Sequence, residues 1–204
     1  DLPIGPLRAN YSLTLPFSFR FDGQDSSQFL RGWSRDYHTS LLDQKRRQHV
    51  LIFDDPQTGL QVRCVGIEYL EFPVMEWKLF FKNASDRPTP ILENIQPLDL
   101  RLERNNEGEF LVHHSNGSPH SLVTMSGPRD YEPRETSLPP AATLRLGSKL
   151  GLPASQDLPF FNVQGLNSGV IFAIGWPGQW NASLQRDKDR GLHIMAGQEQ
   201  THFR

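Results

Sequence analysis

The residues with the most distinctive chemistry lie near the C-terminal end, in the Gly-Trp-Pro-Gly-Gln-Trp segment Gly175–Trp180. Pro177 fixes one backbone angle and the glycines tolerate conformations that other residues avoid, so the segment predicts a tight turn carrying two indoles. An indole can stack on a sugar ring beside a hydrogen-bonding amide, although large aromatic side chains are more often buried in a core. The candidate carbohydrate-binding residues are Trp33, Trp176, Gln179 and Trp180, with burial as the favoured alternative for the two indoles of the turn.

The acidic residues show no pattern of catalytic carboxylates. Asp54 and Asp55 fall in one predicted turn, and Asp22 and Asp25 flank a glycine in another, so all four are interpreted as turn residues. Nothing marks a buried acid beside an ionised one, the arrangement that acid–base catalysis by two carboxyl groups requires. A Gly-x-Ser-x-Gly nucleophile motif, a phosphate loop and a dinucleotide fingerprint are also absent. We predict no catalytic residue and no cofactor in this sequence.

Histidine and cysteine give no metal site or nucleophile either. His113 and His114 form the densest histidine cluster together with His120, but adjacent residues of a strand point to opposite faces, which spoils the geometry of a metal site. We therefore predict no metal. Cys64 is the sole cysteine and lies in a strand-like pattern, so a buried, inert thiol is expected.

Composition excludes several classes of partner. The formal net charge is −2 and charged residues of both signs make up 22% of the chain, so no electrostatic argument favours nucleic acid or an anionic membrane surface. No run approaches the roughly 20 apolar residues that span a bilayer, and no secretory leader stands at the start. A bacterial cytoplasmic location and a secreted or periplasmic location both stay open, because some secreted proteins also lack disulfides.

The elements that must position these residues are short strands separated by turns. Leu13–Phe21 places leucine and phenylalanine at every second position, which predicts a strand, and Ser26–Tyr37 predicts a short helix or an irregular loop. Turn residues predict hairpins at 54–59 and at 105–108, and the segment 115–140 is the least regular. The pattern favours an all-β fold, a large antiparallel two-sheet β-sandwich with little helix, in which residues 1–204 form one domain.

The strongest structural expectation concerns the end of the chain. Gly169–Trp176 is a continuous apolar run, which predicts a strand buried on both faces. After the turn, Trp180, Ala182 and Leu184 alternate with polar residues, which predicts a strand with one solvated face. With a third strand at 192–196, the pattern predicts a three-stranded meander.

Several segments together resemble the N-terminal domain of glycoside hydrolase family 36 α-galactosidases (melibiases). The resembling pieces span nearly the whole chain in the expected order: Pro16–Phe19, Ser26–Trp33, Glu76–Asn83, Thr89–Leu98, Pro159–Asn162, Gly175–Trp180 and Ala196–Phe203. The resemblance implies a β-supersandwich that precedes a (β/α)8 catalytic barrel, with the aspartate nucleophile and the aspartate acid/base in that barrel. It therefore assigns no catalytic residue to this chain. It also implies that an aromatic of this domain can be lent to an active site, for which Trp33 is the candidate.

The leading hypothesis is thus a non-catalytic N-terminal β-sandwich of an α-galactosidase-like glycosidase. Its expected partners are the C-terminal catalytic barrel of the same protein, galactosides or related sugars, and further copies of the chain in a homo-oligomer. The domain would pack on the barrel, help it to oligomerise and shape its sugar site. A free-standing carbohydrate-binding module is a second hypothesis. A third is a mutarotase-like sugar enzyme, for which His113, His114 or His193 with Glu199 are the candidates, so whether this chain alone is an enzyme stays open.

Overall fold

A computed structural model describes residues 15–104, 108–118, 130–165, 168–198 and 201–203. The predictions that rest on the first fourteen residues, on His120 and on Glu199 lie outside this part of the chain. The chain divides into two compact units, unit 1 (Asp1–Pro97 with Thr201–Arg204) and unit 2 (Leu98–Gln200). No helix in the described ranges is long and apolar enough to cross a membrane.

Unit 1 consists of two antiparallel four-stranded sheets and one short helical segment. The helix α1 (Ser26–Phe29) continues into a 3-10 turn (Leu30–Gly32), so the short helix predicted in this region is present. One sheet has the order β16-β7-β1-β2 and the other the order β3-β4-β5-β6. The strands are β1 (Ser18–Phe21), β2 (Gln24–Asp25), β3 (Ser34–Leu41), β4 (Arg46–Asp54), β5 (Leu60–Tyr69), β6 (Val74–Asn83), β7 (Leu92–Gln96) and β16 (His202–Phe203).

The two sheets of unit 1 enclose one hydrophobic core. Phe17, Phe19 and Phe21 are buried, as the alternation predicts, and they pack with buried residues of β4 and β5 in a single cluster. Aromatic rings dominate this core, with the Phe19 and Phe81 rings edge to face at 5.3 Å. The predicted hairpin joins β4 to β5, and Asp55 accepts the amides of the turn, as expected of a turn aspartate.

Unit 2 repeats the plan with two further antiparallel four-stranded sheets. Their orders are β11-β14-β15-β8 and β10-β9-β12-β13. The strands are β8 (Leu98–Glu103), β9 (Phe110–Ser115), β10 (Pro133–Leu138), β11 (Thr143–Gly147), β12 (Phe160–Gln164), β13 (Gly169–Ala173), β14 (Trp180–Arg186) and β15 (Gly191–Gln198). Buried residues from both sheets form one core cluster, so each unit is a two-sheet sandwich.

Trp180 is the largest fully buried side chain in the described residues, with 0% of its surface exposed. It begins β14, whose burial alternates along the strand, so the predicted strand with one solvated face is present. The indole nitrogen donates to the carbonyl of Pro153 at 2.6 Å, which satisfies the one polar group of the ring inside the core. The indole of Trp180 is therefore a buried part of the hydrophobic core of unit 2.

The predicted three-stranded meander is wrong. β14 and β15 do pair as a hairpin, but β13 lies in the other sheet of the unit, where it pairs with β12. β13 is also not buried on both faces, because it is an edge strand and Ile171 is 76% exposed. An apolar run predicts that a segment forms a strand. It does not reveal which other strand the segment pairs with, or whether it lies at the edge of its sheet.

Two loop predictions also need correction. β8 and β9 lie in different sheets, so the turn residues at 105–108 do not connect a hairpin. The region 115–140 contains the strand β10, which sequence alternation missed because Pro133, Arg134 and Glu135 are polar or imino residues on an exposed edge. In the described residues, every strand pairing is antiparallel and helix is confined to α1 and the 3-10 turn, so the predicted all-β sandwich class is confirmed.

Truncation of the buried indole tests the core assignment. Replacement of Trp180 by alanine should lower the free energy of unfolding by about 3–5 kcal/mol, because it empties a filled core site and leaves the Pro153 carbonyl without its donor. Trp176→Ala is the matched control, because Trp176 is 44% exposed, and it should change stability by less than about 1 kcal/mol. Urea denaturation of both variants measures this, and equal losses would contradict the assignment.

Candidate functional site

The turn before β14 presents one indole to solvent. Trp176 is 44% exposed, and its ring lies over the backbone of Gly178, where an added Cβ would stand 2.7 Å from the indole nitrogen. Only glycine at position 178 leaves room for this position of the ring. The sequence therefore fixes an aromatic face at the surface of unit 2, which is the arrangement expected of a stacking platform.

A second loop is tied to this turn. The amide of Gly151 donates to Oε1 of Gln179 at 3.2 Å, and the amide of Trp180 donates to Oγ of Ser148 at 3.1 Å. The loop therefore lies beside the turn and carries two exposed leucines, Leu150 at 87% and Leu152 at 57%. We call Leu150, Leu152, Trp176 and Gln179 the tryptophan platform.

The four predicted carbohydrate-binding residues do not form one site of unit 2. Trp176 and Gln179 belong to the platform, whereas the buried ring of Trp180 has no free face for a sugar in this structure. Trp33 belongs to unit 1, where it packs on the rings of Phe29 at 5.1 Å and Phe21 at 6.0 Å and stays partly exposed. A sugar contact at Trp33, Trp176 and Gln179 stays a prediction.

Sequence reasoning missed a polar relay on the core side of the sheet in unit 1. His49 is buried, its Nδ1 lies 2.8 Å from the hydroxyl of Tyr37, and its Nε2 lies 3.0 Å from Glu68. Arg47 donates to the same carboxylate oxygen at 3.2 Å. The sequence places His49 two residues before Leu51, so the two side chains point to the same face of a strand. Its partners come from other strands, and the sequence does not reveal the register of those strands.

The histidines of unit 2 form separate pairs. His193 lies 2.6 Å from Asp99, and His113 lies between Gln164 at 2.6 Å and Glu135 at 3.2 Å. His114 bonds Thr136 instead, so the two adjacent histidines point to opposite faces, as predicted. Among the described residues no three histidine, cysteine or acidic side chains are placed to hold a metal ion.

Two of these histidines have shifted pKa values. Burial lowers the pKa of His114, whose Nδ1 is buried without a hydrogen-bond partner, and the nearby charges of Asp157 and Arg134 act in opposite directions. The hydrogen bond to Asp99 raises the pKa of His193 against the opposing effect of partial burial. In unit 1, burial raises the pKa of the Cys64 thiol to about 12, so this cysteine is not a nucleophile at neutral pH.

A surface depression of about 560 Å³ lies at one end of unit 1, where the turns after β3 and β5 meet. Its charged lining residues neutralise one another, because Arg46 lies 2.7 Å from Asp43 and Lys45 lies 2.9 Å from Glu71. The hydrogen bond from Arg46 lowers the pKa of Asp43, so this carboxyl group is ionised and cannot act as a general acid at neutral pH. Asp43 is therefore not the protonated acid that glycoside hydrolysis needs.

Comparison with solved structures shows which known proteins share this fold. The α-galactosidase AgaA of family GH36 from Geobacillus stearothermophilus matches with a TM-score of 0.62 and 13% identity, covering 93% of this chain and 29% of that one. The galactosidase domain of the α-galactosidase–sucrose kinase AgaSK matches with a TM-score of 0.65 and 14% identity over 93% and 28% of the two chains. The α-galactosidase from Lactobacillus brevis matches with a TM-score of 0.62 and 15% identity over 91% and 26%.

These matches establish the fold. No family model and no curated protein matches the sequence. The chain has the fold of one part of GH36 α-galactosidases and spans less than a third of their length. The fold resemblance drawn from the sequence motifs is therefore confirmed.

The two shifted histidines should affect stability in opposite directions with pH. Because folding lowers the pKa of His114 below 6.5, the unfolded chain binds more protons, and this contribution to stability is lost as pH falls below about 6.5. Folding raises the pKa of His193, so its contribution is complete below about 6.5 and disappears as pH rises through the folded value.

Urea unfolding of His114→Gln and His193→Gln between pH 5 and pH 8.5 measures both effects. His114→Gln should lose less stability than the wild type on acidification, whereas the deficit of His193→Gln should be larger at pH 5.5 than at pH 8.5. If the free energy of unfolding depended on pH in the same way in the wild type and both variants, the environments described for His114 and His193 would be wrong.

Proposed function

We propose that this chain is the non-catalytic N-terminal β-sandwich of an α-galactosidase-like glycoside hydrolase and packs on a (β/α)8 catalytic barrel of the same protein. The observation that carries the proposal is the fold match, which covers over nine-tenths of this chain but less than a third of each α-galactosidase. The order of the sequence motifs supports the same placement. The reactive aspartates would then belong to the barrel, and the chain alone is inactive.

The ionisable groups of the chain support a non-catalytic role. The His193–Asp99 and His113–Glu135 pairs belong to two different sheets of unit 2, so they do not converge on one site. The acids at the depression in unit 1 are neutralised by paired cations. Catalysis by two carboxyl groups needs a protonated acid beside an ionised one, and Asp43, whose pKa is lowered by Arg46, is not such an acid.

Exposed apolar side chains support packing against a further domain. At the end of unit 1, the turns after β3 and β5 expose Leu41, Leu42, Leu70 and Phe72, with Phe72 65% exposed. The amide of Leu70 donates to the carbonyl of Lys45 at 2.8 Å, which holds the two turns together. Exposed apolar side chains on two adjoining turns suit an interface, and we assign them to the contact with the barrel.

The tryptophan platform is the part of the chain best suited to a sugar. Trp176 offers an aromatic face, and Gln179 offers an amide whose oxygen already accepts the Gly151 amide. A pyranose stacks its C–H groups on such a ring while its hydroxyls bond the amide. We propose that the platform borders a sugar site of the complete enzyme. For unit 1, we propose separately that Trp33 is an aromatic available to an active site, as the resemblance suggests.

A free-standing carbohydrate-binding module is the second candidate, favoured by the exposed ring of Trp176. This hypothesis differs from the leading one in a measurable way, because a binding module binds sugar in the absence of a catalytic barrel. The mutarotase-like alternative requires turnover by one of the three histidines of unit 2 with Glu199, and Glu199 lies outside the described residues.

The test compares this chain with the product of the complete gene on nitrophenyl α-galactoside. The chain alone should show no turnover and no measurable affinity for galactose by titration calorimetry, whereas the longer product should hydrolyse the substrate. Trp176→Ala in the longer product should raise KM several-fold, because the lost contact is one stacking interaction of about 0.5–1.5 kcal/mol.

Tyr131→Ala, an exposed aromatic of unit 2 outside the platform, is the matched control and should leave KM unchanged. Turnover by this chain that survives repurification would contradict the placement. Galactose affinity of the isolated chain, lost in Trp176→Ala, would favour the binding-module alternative.

We also propose that residues 1–204 behave as one domain although they form two units. The chain leaves unit 1 after Pro97 and returns at Thr201, whose Oγ1 accepts the Ile95 amide at 3.0 Å, and β16 then pairs with β7. Unit 1 is therefore completed only by the segment that follows unit 2, so unit 2 is inserted within the chain of unit 1.

Calorimetry tests this coupling. Thermal unfolding should give one transition whose van't Hoff and calorimetric enthalpies agree. Deletion of residues 201–204 should lower the midpoint of the whole transition. Two resolved transitions, of which the deletion shifts only one, would show that the units unfold independently.

A further inference from the structure

Among the residues that the structure describes, one sheet edge of unit 2 has no protective feature. Each of the four sheets ends in two edge strands, and those of the described residues differ in how they discourage pairing with another chain. β3, β6, β8, β10 and β11 carry charged side chains, with a proline as well in β10, and β2 and β16 are only two residues long. β13, with the sequence Gly-Val-Ile-Phe-Ala, is five residues long and has neither charge nor proline.

The register shows which backbone groups of β13 face outward. The amide of Ile174 donates to the carbonyl of Pro159, and the amide of Gly165 donates to the carbonyl of Ser168, at the two ends of the β12–β13 ladder. Hydrogen-bonded pairs alternate along an antiparallel ladder, so Val170 and Phe172 bond β12. The N–H and C=O groups of Gly169, Ile171 and Ala173 therefore point away from the sheet.

We propose that β13 pairs with β13 of a second copy of this chain, antiparallel and centred on Ile171. A two-fold axis at Ile171 sets Gly169 opposite Ala173 of the other copy and Ile171 opposite its own counterpart. The outward N–H and C=O groups of Gly169, Ile171 and Ala173 in one copy then lie opposite the same groups of the other copy. Each of these N–H groups can therefore donate to a C=O group of the other copy. The proposal does not depend on the chain being part of a glycosidase.

The side chains favour a second copy over an unrelated strand. The strand is uncharged, so self-pairing brings no like charges together, which a charged edge strand would do. Ile171, 76% exposed, packs on the Ile171 of the other copy at the distance of a directly opposed pair. Phe160, 55% exposed and opposite Ala173 on β12, extends the same apolar outer face. Pairing buries this face and satisfies the backbone in one step.

Sedimentation equilibrium of the 204-residue chain across a range of concentrations tests the proposal. The wild type should form a dimer. Ile171→Lys should abolish the dimer by bringing two ammonium groups together, and it costs no core packing because the side chain is exposed. Ala173→Pro should abolish it by a different route, since it removes an outward N–H that β12 does not use.

Tyr131→Lys is the matched control, because it introduces the same charge at an exposed aromatic of unit 2 that lies outside β13, and it should leave the dimer intact. Circular dichroism of each variant shows whether it is folded. A monomeric wild type, or an Ile171→Lys variant that stays dimeric, would overturn the proposal. Loss of the dimer in Tyr131→Lys as well would overturn it too.

Amide hydrogen exchange provides a second test, because it reports on the individual amides of β13 and a nonspecific change of the surface would not affect only the outward ones. In a dilute sample the amides of Ile171 and Ala173 should exchange fast, and those of Val170 and Phe172 slowly. In a concentrated sample the first two should slow by roughly tenfold or more, whereas Ile171→Lys should show no dependence on concentration. Slow exchange of Ile171 at every concentration would mean that the edge is already covered within one chain, which contradicts the proposal.

Discussion

The architecture depends on burying one face of each four-stranded sheet against another sheet. In unit 2 this constraint is met at Trp180, whose ring fills the core while its nitrogen bonds the carbonyl of Pro153. That single bond couples the start of β14 to the loop that follows β11. The same loop then lies beside the turn that carries Trp176. The buried indole thus positions the exposed one, and core packing and surface chemistry arise from neighbouring residues of one short segment.

Unit 1 meets the same constraint with phenylalanine. The alternating Phe17, Phe19 and Phe21 face a sheet whose own inward positions are aliphatic, and edge-to-face ring contacts fill the space between them. Where the apolar core of this sheet ends, Tyr37, His49 and Glu68 continue on the same face as a hydrogen-bonded relay. A buried polar group is tolerated there because each of its hydrogen-bonding atoms has a partner. The relay marks the boundary of the core and rigidifies it.

Local patterns predicted the strands well and their partners poorly. Alternation identified the inward face of β1 and of β14, and turn residues identified the β4–β5 hairpin, because these features depend on neighbours in sequence. The placement of β13 beside β12 and the partners of His49 depend on register between distant strands, which no local pattern encodes. For the site, the motif around Trp176 was visible in the sequence, whereas the difference in burial between Trp176 and Trp180 was not. An ordered set of weak motifs, each insufficient alone, was enough to indicate the fold.

The lone cysteine has a practical consequence. Burial raises the pKa of the Cys64 thiol to about 12, so the thiol stays protonated at neutral pH, and Cys64 is buried on the central strand β5 between β4 and β6. Alkylating probes therefore react with it very slowly while the chain is folded. A cysteine engineered at the surface would be the sole site of fast labelling, so a fluorophore or spin label can be attached without first removing the native thiol. The same thiol becomes exposed and reactive when the chain unfolds. The rate of its alkylation therefore measures how often the chain unfolds.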